Sequence, residues 1–167
     1  MAIEKINIER LDEVFTIYKD CKAALDMQGI FQWTDKYPVL STVEGDIQAQ
    51  ELFGMIEGGK CIGLICLNEK QSPEYSSVDW RCLHGKILVV HRLAVAPDFQ
   101  KQGIARQLMD FAEGFAKENG YAAIRLDSYS VNARSVTLYS NRGYNNCGQI
   151  FFEGREAHFF CFEKPIQ

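Results

Sequence analysis

The chain has 167 residues, which lies within the usual size range of one domain. Its composition, 47% hydrophobic and 24% charged, is near the globular average and excludes disordered, collagen-like and coiled-coil classes. The net charge of −4 disfavours a dedicated nucleic-acid binder, because neutralising phosphates requires a cationic surface.

The first half of the chain predicts a strand, a helix, an aromatic loop, a short helix and a hairpin. Strict alternation of apolar and polar residues indicates the strand, and apolar residues at helical spacing indicate the first helix. The predicted bounds are a strand at 3–8, a helix from Leu11 that stops at Gly29, a loop at 28–38, a short helix capped by Ser41 or Thr42, and strands at 52–57 and 60–67 turned at Gly58 and Gly59.

The second half begins with a long polar loop and continues with alternating strands and helices. The order β-α-α-β-β-β-α-β-α-β-β that results predicts a mixed α/β domain. The predicted bounds are a loop at 69–84, a doubly buried strand at 86–95, a helix from Ile104 to Asn119, a strand at 124–129, a helix at 132–142, and a closing hairpin of 144–152 and 157–162.

Cysteine and histidine spacing gives no sign of a metal site. The six cysteines form no C-x-x-C pair and the three histidines form no H-x-x-x-H pair. Several cysteines lie in apolar runs, which favours buried thiols in a reducing compartment. The first residues lack the apolar run of a signal peptide, and no run is long enough to cross a bilayer. We therefore expect a cytoplasmic protein with no metal and no membrane partner.

The most informative segment joins the strand at 86–95 to the following helix through a short loop. The N–H groups of a helix's first turn, together with the helix dipole, form an anion site. Gly103 lets the backbone approach a phosphate closely, and Lys101 and Arg106 add positive charge. An ordinary strand-to-helix loop with a convenient glycine fits this segment equally well.

The same segment resembles the acetyl-coenzyme A motif of the GNAT family of N-acetyltransferases, Q/R-x-x-G-x-G/A. Here the motif is Gln-Lys-Gln-Gly-Ile-Ala, with the permitted alanine in last place. The resemblance implies that acetyl-coenzyme A is the cosubstrate, that backbone amides hold its pyrophosphate, and that the end of the preceding strand pairs with its pantetheine arm. The implied binding residues are Leu93, Ala94, Val95, Gln100, Lys101, Gln102, Gly103, Ile104, Ala105 and Arg106.

A second match lies downstream, where members of this family commonly carry Asn, a small residue three positions on, Leu-Tyr and a terminal Gly-Phe or Gly-Tyr. By resemblance, Asn132 hydrogen-bonds the pantetheine arm, Ser135 lies beside it, and Tyr139 is the general acid. The residues alone favour an N-cap for Asn132 and a core aromatic for Tyr139, which lies two turns along the same helix face. Together with the first motif, they favour the functional roles.

The likeness covers most of residues 60–162 and agrees with the family in element order. We predict one N-acetyltransferase domain over residues 1–167, with an acetyl-coenzyme A core at 60–162 and acceptor-side elements at 1–57. Residues 1–83 carry a net charge of −6 and residues 84–167 a net charge of +2. The acidic first half fits an amine acceptor, and the second half is the better host for a polyanionic ligand.

The resemblance implies direct attack of a primary amine, on a small molecule or peptide, on the thioester within a ternary complex. No G-x-S-x-G elbow is present to suggest a covalent intermediate. The backbone N–H of Val95 is the expected donor to the developing oxyanion, and Tyr139 would protonate the departing thiolate.

The general base stays open. Some members of the family carry a Glu on the central strand, at the position where this chain has Val89. The remaining candidates are His91, Glu57 and Asp127, acting directly or through water.

The acceptor and the oligomeric state stay open as well. The aromatic loop, with Phe31, Trp33, Tyr37 and Asp35, is either an acidic mouth for a cationic amine or a loop pinned to the core by its aromatics. A homodimer contact and ordinary sheet core are equally consistent with the phenylalanines of the closing hairpin: Phe151, Phe152, Phe159, Phe160 and Phe162.

Two other functions compete with the enzyme. A non-catalytic acyl-coenzyme A sensor would use the same phosphate cradle. A dinucleotide-binding oxidoreductase is disfavoured, because no G-x-G-x-x-G follows the first strand. Residues 54–60 have the spacing of a nucleotide P-loop, but Cys61 replaces the required Ser or Thr and a strand follows instead of a helix, so a hairpin turn is predicted.

Overall fold

The computed structural model describes residues 2–167, and the predicted order of strands and α-helices is confirmed. Four α-helices and seven strands make a mixed α/β structure in this part of the chain. The elements are β1 (Ala2–Lys5), α1 (Leu11–Met27), α2 (Leu40–Gln48), β2 (Leu52–Glu57), β3 (Lys60–Asn68), β4 (Ile87–Val95), α3 (Ile104–Glu118), β5 (Ala123–Tyr129), α4 (Ala133–Asn141), β6 (Asn145–Ile150) and β7 (Phe159–Pro165).

The strands form a sheet in the order β1-β2-β3-β4-β5-β7-β6. The pairs β1/β2, β2/β3, β5/β7 and β6/β7 are antiparallel. Strand β4 pairs in parallel with β5 over Ile87, Leu88 and Val89. A parallel pair requires a long crossover connection, and α3 lies within that connection.

The chain forms two compact units. The first comprises the chain through Leu67 together with His91–Ala112, and the second comprises Asn68–Val90 and Glu113–Gln167. The single domain over residues 1–167 stays a prediction.

In the first unit, α1 buries one face and α3 approaches the sheet closely. Val14, Tyr18 and Cys21 lie on the buried face of α1, at the spacing expected for neighbours on a helix. A Cβ added at Gly63 of β3 would lie 3.0 Å from side-chain carbons of Ile104 and Leu108. The glycine therefore lets the first turns of α3 pack directly on β3.

In the second unit, β5 pairs with β7 along its whole length, from Ala123 opposite Pro165 to Tyr129 opposite Phe159. Phe159 and Phe162 are buried, which confirms sheet core for these two residues of the closing hairpin. Phe151 is 61% exposed, and a homodimer contact remains a prediction.

Three local predictions are wrong, and capping explains two of them. The last strand runs over Phe159–Pro165 instead of 157–162, because its pairing with β5 continues to Pro165 opposite Ala123. The first strand ends at Lys5, not at residue 8, because Asn7 caps a 3-10 turn by accepting the N–H of Glu9 at 3.1 Å. Val39, and not Ser41 or Thr42, occupies the N-cap position of α2. The side chain of Thr42 lies in the first turn and its Oγ1 accepts the N–H of Val39 at 3.4 Å. The polar loop at 69–84 is confirmed, with a 3-10 turn at Pro73–Ser77.

Among residues 2–167, no helix combines the length and the apolar character needed to cross a bilayer.

Replacing Gly63 with Val tests the close packing of α3 on β3. We expect the free energy of unfolding to fall by about 1–3 kcal/mol, because the side chain has no room. Gly45→Val in α2 is the matched control, since a Cβ there has no atom within 4 Å, and its effect should be near zero. Urea denaturation measures both variants, and equal stabilities would contradict the packing argument.

Candidate functional site

The turn between β4 and α3 is held in place from several directions. The N–H of Ala96 donates to the carbonyl of Ile62 at 2.9 Å, and a 3-10 turn over Pro97–Phe99 follows. Gln100 Nε2 donates to the carbonyl of Val95 at 3.0 Å. The side chain of Gln100 thus fastens the loop to the end of the strand.

The backbone of this loop is accessible on one side, just before α3 begins. Lys101 and Gly103 have positive φ values of 63° and 81°. Such a backbone conformation can direct successive N–H groups towards one concave face, where an anion can bind. A Cβ built on Gly103 would meet no atom within 4 Å, so this side of the backbone is open. The N–H of Gln107 bonds the carbonyl of Gly103 at 3.1 Å, and the amides of Ile104 and Ala105 precede that first helical bond.

The charge and size of the loop residues fit a diphosphate. Lys101 and Arg106 are exposed cations, and Ala105 is small and half-buried. Ile104 is 3% exposed, so its side chain anchors the first turn. Amide donors, a helix dipole and two cations together form the donor set that phosphate requires.

Helix α1 fixes the end of β4. The hydroxyl of Tyr18 donates to the carbonyl of Arg92 at 3.0 Å, and Cys21 Sγ donates to the carbonyl of Val95 at 3.1 Å. The carbonyl of Val95 therefore accepts from both Cys21 and Gln100. Any ligand pairing at Val95 has to use its N–H, and Leu93 and Ala94 precede it in the strand.

Arg92 forms a buried network that the sequence analysis did not anticipate. Its guanidinium bonds both carboxylate oxygens of Asp46, with distances of 2.6 to 2.9 Å, and donates to the hydroxyl of Tyr37 at 2.6 Å. Both side chains of the ion pair are less than 10% exposed. No periodicity or motif in the sequence marks this pairing, because Asp46 and Arg92 lie far apart in the chain.

The aromatic loop is pinned to the core by two of its members. Trp33 is buried edge-on against Tyr18, with ring centroids 5.7 Å apart, and Tyr37 bonds Arg92. This confirms the core interpretation for Trp33 and Tyr37. Phe31 is 55% exposed and the side chain of Asp35 is fully exposed, so these two reach solvent.

One group of potential metal ligands, Asp46, Glu51 and Cys66, lies within 4.8 Å in the described part of the chain. The guanidinium of Arg92 already occupies both oxygens of Asp46. Burial raises the pKa of the Cys66 thiol to about 12, which disfavours a thiolate ligand. The chemistry of this group fits an arginine and not a metal ion.

The second motif lies on α4, in the second unit. Asn132 is buried and is the N-cap of α4, since its Oδ1 accepts the N–H of Ser135 at 3.3 Å. The N-cap interpretation is therefore confirmed. Ser135 is half-buried in the first turn of the helix.

Tyr139 lies on the buried face of α4. Its ring packs against Tyr144 and Phe162, with centroids 5.9 and 6.0 Å away, and the residue is 6% exposed. Burial, reinforced by the negative charge of Asp127, raises the pKa of Tyr139 above its ordinary value. The phenol is protonated at neutral pH, and the raised pKa makes it a weaker acid than an exposed tyrosine.

The candidate bases have different surroundings. Glu57 is exposed at the end of β2, and His91 is half-buried in β4. Asp127 is half-buried in β5, and its Oδ2 accepts a 2.6 Å hydrogen bond from the hydroxyl of Tyr75. Burial raises the pKa of Asp127 to about 6, against the lowering effects of Tyr75 and Arg155.

Tyr75 is the partner that sequence analysis missed. It lies in the polar loop at 69–84, which carries no apolar periodicity. An aromatic residue in a polar loop was the available signal, together with the nearby Trp80.

The family model for the acetyltransferase (GNAT) family matches residues 11–144. The match covers more than half of the chain and includes both motifs. The chain therefore belongs to the GNAT acetyltransferase family.

Similar proteins agree with this assignment. Human N-acetyltransferase 8 is 33% identical over 75 residues, which is 45% of this chain and 33% of that protein. The chain spans about a third of the length of the curated relatives it matches.

Solved structures share the fold. A GNAT-family acetyltransferase from Streptococcus agalactiae aligns with a TM-score of 0.85 at 19% identity, covering 99% of this chain and 95% of that one. The acetyltransferase yncA from Salmonella typhimurium, solved with its cofactor acetyl-CoA, aligns with a TM-score of 0.74 at 17% identity, covering 100% and 94%.

Asp127→Asn tests the environment of this carboxyl through stability. Because its pKa is about 6 when folded and about 4 when unfolded, ionisation favours the unfolded chain. The free energy of unfolding of the native chain should therefore fall, relative to the variant, by about 2–3 kcal/mol between pH 4 and 6. Urea denaturation across this range measures it, and parallel pH profiles would contradict the assignment.

Proposed function

We propose that this chain transfers the acetyl group of acetyl-coenzyme A to a primary amine of a small molecule or peptide. The observation that carries the proposal is the free space beside the backbone at Gly103, just before α3, where a Cβ would meet no atom within 4 Å. Membership of the acetyltransferase family and the name of the human relative support the same reaction.

The cosubstrate supplies an activated acetyl thioester, and this chain has to hold its diphosphate. We assign that task to the backbone amides from Lys101 to Arg106, with positive charge from these two side chains. Gln100 acts indirectly, since its side chain holds the loop against Val95. The N–H of Val95 is the donor that we assign to the developing oxyanion.

Asn132 and Ser135 are assigned to the pantetheine arm by their match to the family motif. The capping bond fixes the carboxamide of Asn132 in one orientation, which is what a specific hydrogen-bonding partner needs. Tyr139 is assigned as the general acid that protonates the departing thiolate. Burial raises its pKa and so makes it a weaker acid, which requires the proton transfer to be concerted with cleavage of the carbon–sulfur bond.

Asp127 is the base that we favour among the three candidates. A pKa of about 6 leaves the carboxylate ionised at neutral pH and raises its basicity above that of an exposed aspartate. Glu57 is exposed at a strand end and has no comparable environment. A basic carboxylate suits an acceptor that arrives as an ammonium ion and has to lose a proton before it attacks.

The acceptor is assigned to the class of cationic amines. Phe31 offers an exposed aromatic ring on the loop after α1. The exposed carboxylate of Asp35 pairs with Nζ of Lys22 at 3.4 Å, and a cationic amine would have to displace that lysine. The net charge of −6 over residues 1–83 favours a cationic acceptor.

Gly103→Gln tests the phosphate cradle. We expect the affinity for coenzyme A to fall about tenfold or more, because the new side chain fills the approach to the amides. Gly120→Gln is the matched control: Gly120 follows α3 with φ +73°, and its Cβ would also meet no atom within 4 Å. Calorimetry with coenzyme A measures both variants, and equal affinities would refute the cradle.

Tyr139→Phe tests the general acid. We expect kcat to fall about a hundredfold with little change in the KM for acetyl-coenzyme A, because only the proton donor is removed. Thiol release is followed across a panel of primary amines, with Tyr121→Phe as the control. Tight binding of coenzyme A by the native chain without turnover on any amine would favour the sensor instead of the enzyme.

A further inference from the structure

A buried carboxylate in β7 holds the loop at 69–84 at one of its ends. Glu163 is 2% exposed, and its Oε1 accepts the backbone N–H groups of Arg81 and Cys82, each at 2.9 Å. Its Oε2 accepts from Nε of Arg125 at 2.8 Å. One carboxylate therefore joins the loop to β5 and β7.

Arg125 fixes both ends of the same loop. Its guanidinium donates to the carbonyl of Cys82 at 2.7 Å and to Oε1 of Gln71 at 2.9 Å. The ring of Trp80 covers it, with the centroid 4.4 Å from Cζ. A buried ion pair contributes little net stability against an apolar replacement, but its hydrogen bonds restrict geometry.

Tyr75 lies in the loop between these anchors, and contacts with Trp80 hold it in a buried position. Tyr75 is 3% exposed, its carbonyl accepts from Nε1 of Trp80 at 2.9 Å, and the two rings lie 5.2 Å apart. Arg125 and Asp127 are two residues apart in β5, so they share a face of that strand. The loop that Arg125 anchors thus delivers the hydroxyl of Tyr75 to Asp127 on the same face, at 2.6 Å.

We propose that Tyr75 is a positioning residue that keeps Asp127 ionised, and that the loop at 69–84 is anchored in order to hold it there. The reason for its effect is that a hydroxyl donating to a carboxylate stabilises the charged form. The catalytic meaning of this contact rests on the proposed role of Asp127 as base.

Other groups also act on Asp127, and they come from each neighbouring element. Arg155, between β6 and β7, lowers the pKa of Asp127, and Glu74 of the loop raises it. Cys161 of β7 lies opposite Asp127 in the ladder, and Tyr139 of α4 responds to its charge. Tyr75 differs from these groups because it is hydrogen-bonded to the carboxylate.

Tyr75→Phe tests the proposal in the full chain without any substrate. NMR titration of the Asp127 side-chain carbonyl carbon, assigned with Asp127→Asn, gives its proton affinity directly. We expect Asp127 to become about a tenfold weaker acid, because one hydrogen bond to the charged form is lost. The phenyl ring retains the packing against Trp80, so the fold should be preserved.

Tyr121→Phe is the matched control. The hydroxyl of Tyr121 also donates to a carboxylate, that of Glu69, at 2.9 Å. Its loss should leave the titration of Asp127 unchanged. An unchanged titration in Tyr75→Phe, or an equal shift in both variants, would overturn the proposal.

Kinetics separates this proposal from the proposed function. If Asp127 is the base, the pH profile of kcat/KM should fall off on its acidic side at a pH about one unit higher in Tyr75→Phe than in the native chain. At high pH, kcat/KM should be nearly unchanged. A shifted NMR titration with an unmoved limb would support the positioning role of Tyr75 and refute Asp127 as base. A reduction of kcat/KM by the same factor at every pH, with an unshifted titration, would leave Tyr75 a purely structural residue and overturn the proposal.

Discussion

A phosphate can be held by backbone amides only where no side chain stands in the way, and the start of α3 meets this constraint. Gly103 leaves its side of the backbone open, while Ile104, one residue on, is buried and anchors the turn. The glycine also adopts a positive φ that other residues adopt at a cost. The open backbone and the anchored turn are the two features on which the proposed phosphate site depends.

The first unit is arranged around the end of β4. Helix α1 occupies the carbonyls of Arg92 and Val95, and Gly63 lets α3 approach β3. Arg92 in turn holds Tyr37, so the aromatic loop is fastened to the same strand. The aromatic loop and the loop that begins α3 are therefore both hydrogen-bonded to the end of β4 within this unit.

In the second unit, burial shifts the pKa values of two residues assigned to the reaction. Burial is the largest cause that raises the pKa of both Tyr139 and Asp127, and the charge of Asp127 adds to the effect on Tyr139. The raised pKa makes Asp127 more basic than an exposed aspartate and makes Tyr139 a weaker acid than an exposed tyrosine. The hydrogen bond from Tyr75 offsets part of the effect on Asp127, which keeps it ionised.

The sequence by itself determined the element order, the glycine turn that begins α3 and the place of Tyr139 on α4, because periodicity, glycine and short motifs act over a few neighbouring residues. It also marked Asn132 as a cap. The sequence patterns misplace the start of α2 and the end of β1, because capping depends on individual hydrogen bonds. Only the tertiary structure decided the pairing of Arg92 with Asp46 and of Tyr75 with Asp127. Those partners lie 46 and 52 residues apart, and sheet register and loop anchoring, which no local pattern encodes, bring them together.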